Sequence, residues 1–139
     1  MDGRAFLDVA QRLLQASTEA DWRSAAGRAY YALMLEGRAA LQRWGFTIPR
    51  TEQIHRFVRL HLLYAGDTDM GRVSQVLEEL SKLRNQADYQ IELLGRFASN
   101  QDTKQGLADA RAALLLLDAV SSDAARRNAI ITAMRKAFP

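Results

Sequence analysis

Apolar residues recur three and four positions apart over most of the chain, a period typical of α-helices with one buried face. Residues 3–16 form the first predicted helix and residues 19–44 the second. Thr18 and Asp21 supply the side-chain oxygens that begin a helix, and Gly45 ends the second helix. The second helix carries a stripe of small and apolar residues, which lets a neighbouring helix approach closely. The members of this stripe are Trp22, Ala26, Ala29, Leu33, Gly37, Ala40 and Trp44.

The second half of the chain predicts further helices of the same kind. Residues 51–65 form the third helix, which closes at Gly66 and Asp67, and the fourth begins near Asp69. We expect the buried face of the fourth helix to extend beyond the polar residues near position 85. Its predicted core positions are Met70, Val73, Leu77, Leu80, Ala87, Ile91 and Leu94.

Residues 95–102 are predicted to form a loop, with Asp102 as a candidate cap for a fifth helix. Polar residues 121–123 indicate a break before a shorter last helix, although the pattern does not decide whether these two helices form one bent rod. No segment shows the alternation of a β-strand. The sequence therefore predicts an all-α, up-and-down bundle of four to five principal helices, forming a single domain over residues 1–139.

Composition limits the class of protein further. A chain of 139 residues can bury one hydrophobic core without cross-links. Cysteine is absent, which excludes disulfides and thiolate metal sites and suits the cytoplasm. Its apolar runs are far shorter than the roughly 20 residues that a bilayer requires. We expect a soluble cytoplasmic protein that does not associate with membranes.

The basic residues are mostly arginine, with 16 arginines against 3 lysines, although the net charge is only +3. Arginine binds phosphates through a planar fork, so this bias suits an RNA or nucleotide partner. The codon usage of a GC-rich genome is the simpler explanation of the bias. The basic C-terminal residues are interpreted as a solvated helix face, and they are Arg126, Arg127, Arg135 and Lys136.

Several kinds of site are not supported by the sequence. His55 and His61 lie six positions apart, on different faces of one helix, so they are interpreted as surface or partly buried histidines without a metal. The glycines form neither a Walker loop nor a dinucleotide-binding fingerprint. We therefore expect no cofactor.

The strongest candidate site lies near the end of the fourth helix. Arg84 and Asp88 are four positions apart, so they share one helix face beside the apolar stripe. One interpretation is an intrahelical salt bridge, which contributes only about 0.3 to 0.5 kcal/mol when exposed. In the alternative, Asp88 orients the Arg84 guanidinium toward a groove that binds a ligand.

Two adjacent tyrosines lie at the centre of the second helix. Tyr30 and Tyr31 point about 100° apart around the axis, so one can pack inward while the other faces a groove. Both could simply fill the core and an interface. Alternatively, one tyrosine stacks on a base or forms a hydrogen bond across a dimer near Arg28.

Together these two segments resemble the HEPN family, in particular a branch with an R-x-x-A-D-Y sequence. The resemblance extends from roughly Phe6 to Leu117, and its motifs are Ser24-Ala25-Ala26-Gly27-Arg28-Ala29-Tyr30-Tyr31-Ala32-Leu33-Met34 and Arg84-Asn85-Gln86-Ala87-Asp88-Tyr89. It implies a homodimer in which the helix carrying Arg84 lines a polar groove. With the small-residue stripe of the second helix, it leads us to expect a dimer.

The resemblance also bears on catalysis. Many HEPN proteins cleave RNA with an arginine, a following polar residue and a histidine four to six positions beyond the polar residue. Arg84 and Asn85 match the first two, but the histidine window holds Tyr89 and its neighbours. Tyrosine exchanges protons poorly near neutral pH. We therefore expect no RNA cleavage above that of an Arg84→Ala variant.

Three hypotheses follow from these expectations. In the first, the protein binds RNA or a nucleotide through Arg84, Asn85 and Tyr89, as a homodimeric component of a toxin–antitoxin or related module with a minimal nucleotidyltransferase. In the second, it is an active ribonuclease toxin with Tyr89 near the usual histidine position. In the third, it is a structural dimerisation partner whose Arg84 and Asp88 form an interface ion pair.

Overall fold

The computed structural model describes residues 2–92 and 94–139 and contains, within them, seven α-helices and no β-strand. The helices are α1 (Ala5–Gln15), α2 (Glu19–Arg43), α3 (Ile54–Leu63), α4 (Thr68–Tyr89), α5 (Leu94–Phe97), α6 (Gln101–Ser121) and α7 (Ala124–Ala137). The predicted all-α helical bundle is confirmed. None of the helices described is both long and apolar enough to cross a membrane.

Helix α2 lies at the centre of the bundle and packs against α1, α4 and α6, with fewer contacts to α3. This packing covers its small residues, since Ala26, Ala29 and Ala40 are almost fully buried. At Gly37, an added Cβ would lie 3.0 Å from the Val58 side chain, so glycine is required for α3 to approach. The stripe therefore serves packing within the chain, and it cannot also be the dimer surface for which it was proposed.

Side-chain caps define where several helices begin. The Thr18 hydroxyl accepts a hydrogen bond from the Asp21 amide at the start of α2, and Asp67 does the same for the amides of Asp69 and Met70 in α4. Asp123 caps α7 in this way, so α6 and α7 are separate helices and not one bent rod. Gly45 has a φ of 95° and ends α2, as predicted.

The region after α4 differs from the sequence prediction. Helix α4 ends at Tyr89, and Ile91, predicted to lie in the core, is 71% exposed. The predicted burial of Leu94 concerns a side chain outside the described residues. Residues 95–102 are not simply a loop, because α5 occupies part of them and α6 already begins at Gln101. Asp102 is not the cap of α6; it forms an ion pair with Arg96, with an Nε–Oδ2 distance of 3.3 Å.

A buried arginine of α2 explains why α4 stops where it does. The guanidinium of Arg23 donates hydrogen bonds to four main-chain carbonyls, those of Gln86, Ala87, Gln90 and Ile91, at 2.9–3.2 Å. Carbonyls in the last turn of a helix lack partners within the helix, and a cation placed there satisfies both their hydrogen bonding and the helix dipole. Arg23 therefore anchors the end of α4, next to the candidate site.

Candidate functional site

Arg84 lies between α4 and α2, with its stem beside Gly27, where an added Cβ would be 3.9 Å from Arg84 Cγ. Its guanidinium carbon lies 5.0 Å from the centre of the Tyr31 ring and 5.7 Å from that of Tyr30. These are cation–π distances, and the face of each ring favours the positive charge. The two tyrosines of α2 thus hold Arg84 in one place.

Asp88 forms an ion pair with Arg84 but no hydrogen bond with its Nε. Its carboxylate lies 3.4 Å from Arg84 Nε and forms an ion pair, but the two groups are not aligned for a hydrogen bond. The buried Nε has no hydrogen-bond partner among the described residues. A polar group left in this state is costly unless a ligand or water supplies an acceptor. Arg84 is therefore held by its neighbours at the edge of a surface cavity.

Tyr30 and Tyr31 divide their roles between core and surface. Tyr30 is buried, and its hydroxyl forms a hydrogen bond with Nδ1 of His55 in α3. Burial raises the pKa of Tyr30 to about 12, although the positive charge of Arg84 acts in the opposite direction. The hydroxyl is thus protonated at neutral pH. Tyr31 is partly buried and lines a surface cavity beside Arg84.

His55 is the residue of this site that the sequence prediction missed. It is partly buried, and its ring stacks against that of Tyr30 with a centroid distance of 5.5 Å. Burial lowers the pKa of His55, and the nearby Arg84 lowers it further, so the ring is neutral near pH 7. The only signal in the sequence was its position on the stripe that includes the buried residues Val58 and Leu62.

Two surface cavities flank this cluster. One, of about 200 Å³, is lined by Ser24, Gly27, Arg28, Tyr31, Arg84 and Asp88. The other, of about 320 Å³, is lined by Tyr30, His55, Arg56, Arg59, Leu77, Glu78, Ser81 and Lys82. Each cavity has more basic than acidic lining residues. The arrangement suits an anionic ligand long enough to reach both sides of Arg84.

The other candidates from the sequence lie outside this cluster. Asn85 is exposed, and Tyr89 is 74% exposed; neither lines the two cavities. Both project from α4 more than about 90° away from Arg84 around the helix axis. Arg28 is exposed and belongs to the first cavity, with its guanidinium carbon 5.5 Å from the Phe6 ring. The structure thus brings together Arg28, Tyr30, Tyr31, Arg84 and Asp88, and it leaves Asn85 and Tyr89 apart.

The basic C-terminal residues do not form one solvated face. Arg126 binds the carboxylates of Asp67 and Asp69 at 2.7–2.9 Å and so joins α7 to the start of α4. Arg127 donates to the Ser121 carbonyl, and Arg135 to the Gly45 carbonyl. In residues 2–92 and 94–139, no group of His, Cys, Asp and Glu is arranged to hold a metal ion.

Comparison with known proteins identifies the class of protein to which this site belongs. The HEPN domain family matches residues 2–120, which include α1–α6 up to Val120 and the whole cluster around Arg84. The chain belongs to the HEPN family. No curated protein and no solved structure matches it.

Proposed function

We propose that this HEPN protein binds single-stranded RNA across the Arg84 cluster. The observation that carries the proposal is the position of Arg84, which is held over two tyrosine rings between two basic cavities, with an Nε that no described residue satisfies. Arg84 lines the first cavity, and consecutive phosphates of one strand would reach both cavities. A free nucleotide carries the same phosphate and base groups and would be a smaller ligand for this site.

The charges give each side of the cluster a role in binding. Arg28 and Arg84 face the first cavity, while Arg56, Arg59 and Lys82 line the second. Arginine binds phosphate through two parallel hydrogen bonds, and backbone contacts of this kind carry no sequence information. We therefore expect binding that depends strongly on salt and weakly on base sequence.

A fluorescence anisotropy titration tests this proposal, with labelled single-stranded RNA of about 20 nucleotides, long enough for the site sizes of known single-strand binders. Arg84→Gln should weaken binding about tenfold, and it should reduce the slope of log K against log salt by about 0.7 because one phosphate contact is lost. Arg72→Gln is the matched control, since Arg72 is exposed on the same helix and lines neither cavity. Equal affinity in the two variants, or no binding by the wild type, would refute the proposal.

The proposal also includes the oligomeric state and the partner of the protein. We infer a homodimer that works with a minimal nucleotidyltransferase in a toxin–antitoxin module, as the family resemblance implies. Tyr89 and Ile91 support the dimer, because both are large, more than two-thirds exposed and two positions apart in the chain. Exposed apolar side chains next to each other are typical of a protein interface. The purely structural alternative predicts a dimer with no affinity for RNA or nucleotides.

His55 favours a second candidate function, which is metal-independent RNA cleavage. A neutral His55 could take the proton of a ribose 2′-hydroxyl, whose oxygen then forms a bond to the adjacent phosphorus. The bond from phosphorus to the 5′-oxygen breaks, and that oxygen takes a proton from water. Arg84 would stabilise the negative charge that develops on the phosphate oxygens. This route places the histidine on α3, outside the sequence window in which it was sought.

Incubation of RNA with the purified protein in EDTA separates the alternatives. Cleavage that yields 2′,3′-cyclic phosphate ends and disappears in His55→Gln would establish the ribonuclease with His55 as its base. Cleavage that survives in His55→Gln but not in Tyr89→Phe would instead support Tyr89. If RNA binds and stays intact in wild type, the protein is a binding component without turnover.

A further inference from the structure

A third cavity lies where the linker after α2 meets α3 and the end of α7, and it shares Arg56 with the second cavity beside the Arg84 cluster. It has a volume of about 500 Å³, which falls in the range of small-molecule sites. Part of its lining comes from Arg135 and Phe138, which lie beyond the residues matched by the HEPN family. We refer to it as the aromatic pocket, defined by Phe46, Arg56, Phe57, His61, Arg135 and Phe138.

The walls of the aromatic pocket form a stack of rings. His61 lies between Phe57 and Phe138, with centroid distances of 3.9 Å and 4.4 Å, and its ring meets Phe46 edge-on at 5.2 Å. Aromatic rings at these distances present flat, apolar faces to a ligand. A ligand with a flat ring would extend the stack.

His61 adds one polar atom to these walls. The side chain is only 4% exposed, and its Nδ1 lies 2.8 Å from the Phe57 carbonyl oxygen. A carbonyl can only accept a hydrogen bond, so Nδ1 carries the proton and Nε2 of the neutral ring is an acceptor. Nε2 has no hydrogen-bond partner among the residues that the structure describes, and His61 lines the cavity. A ligand N–H or O–H group would satisfy it.

The charge at the pocket is positive. Arg135 donates a hydrogen bond to the Gly45 carbonyl at 3.2 Å, and its guanidinium carbon lies 4.6 Å from the centre of the Phe46 ring. Arg56 is the second basic residue of the lining, and no lining side chain is acidic. Two guanidinium groups in one lining favour a carboxylate or a phosphate.

We propose that the aromatic pocket binds a small aromatic anion, with its flat ring on Phe138, a ring N–H donating to His61 Nε2, and its anionic group on Arg56 and Arg135. Stacking, an acceptor and paired cations together select this class over neutral or aliphatic ligands. The carboxylate and phosphate members of the class share this chemistry, so the test uses one probe of each.

The probes are indole-3-acetate and GMP, and guanosine serves as the neutral control. Isothermal titration should show millimolar or tighter binding of at least one anionic probe and weaker binding of guanosine. Arg135→Gln should weaken the bound probe about tenfold, the size expected for one charged hydrogen bond. Lys136→Gln is the matched control, since Lys136 is exposed on α7 and does not line the pocket, and its affinity should equal that of wild type.

His61→Phe keeps the ring stack but removes the acceptor, so it should weaken probes that carry a ring N–H while the chain stays folded by circular dichroism. No binding of either anionic probe, or equal affinity in Arg135→Gln and Lys136→Gln, would overturn the proposal. Arg84→Gln should leave probe binding unchanged, and Arg135→Gln should leave RNA binding unchanged. These two variants distinguish failure of the aromatic pocket from failure of the RNA site. Loss of both binding activities in both variants would show one shared site and refute an independent pocket.

Discussion

Replacement of Arg23 by methionine should destabilise the protein by about 3 kcal/mol, because one buried guanidinium holds the end of α4. Arg23 is 9% exposed and donates to four carbonyls, and its guanidinium carbon lies 4.4 Å from the centre of the Phe97 ring. Methionine retains an apolar stem against Phe97 but no donor. The lost interaction is therefore mainly the carbonyl cap.

The magnitude follows from the number and exposure of these carbonyls. Hydrogen bonds to a charged group contribute about 1.5 to 3 kcal/mol each, but three of the four carbonyls share the two N–H groups of Nη1, so the four contacts cannot be summed at full strength. Residues 88–92 are exposed, however, and water can replace the arginine at the carbonyls of Gln90 and Ile91. The Gln86 carbonyl keeps the Gln90 amide as a donor, whereas the buried Ala87 carbonyl is left without a partner. The charged bond to Ala87, at the upper end of the usual range, accounts for about 3 kcal/mol.

Urea denaturation followed by circular dichroism at 25 °C measures the change. Arg23→Met should lower the midpoint without altering the m-value, whereas Arg72→Met, on an exposed face of α4, should change the free energy of unfolding by less than about 0.5 kcal/mol. Hydrogen exchange in residues 84–91 should accelerate in the Arg23 variant only. A loss below about 1 kcal/mol with unchanged exchange would refute the assignment of Arg23 as the cap.

Three further predictions concern pH and assembly. Burial lowers the pKa of His61 below its usual 6.5, so its contribution to stability is present above that pH and lost as pH falls toward the folded-state pKa. The melting temperature should therefore drop from pH 7.5 to pH 5, and the drop should be smaller in His61→Phe. The hydrogen bonds of Arg126 lower the pKa of Asp67 below 3.8, so the contribution of Asp67 to stability is present above pH 3.8 and lost at lower pH. In Arg126→Gln the melting temperature should therefore depend less on pH between about 5 and 2.5. An unchanged profile would contradict this linkage. Sedimentation equilibrium should give twice the chain mass of 15.6 kDa for the wild type and the single mass for Tyr89→Asp/Ile91→Asp; a wild-type monomer at micromolar concentration would rule out the dimer.

The local pattern of the chain was sufficient for most of the helices, because caps and apolar periods act over a few residues. Thr18 and Gly45 delimit α2 within one or two residues of the prediction. The predicted burial of Ile91 was wrong for a non-local reason. The apolar spacing continued to Ile91, but Arg23 binds the carbonyls of this segment from 63 or more positions away and ends the helix first. No local propensity contains that contact.

The candidate site, too, was determined partly by the sequence and partly by the tertiary structure. The sequence alone determined that Arg84 and Asp88 share a helix face and that the two adjacent tyrosines point about 100° apart, since both follow from helix geometry. Only the tertiary structure decided that α2, α3 and α4 bring Tyr30, His55 and Arg84 together, and that Asn85 and Tyr89 point elsewhere. Helical periodicity defines the direction of each side chain around its own axis. Which side chains meet depends on how neighbouring helices pack, and that depends on the whole core.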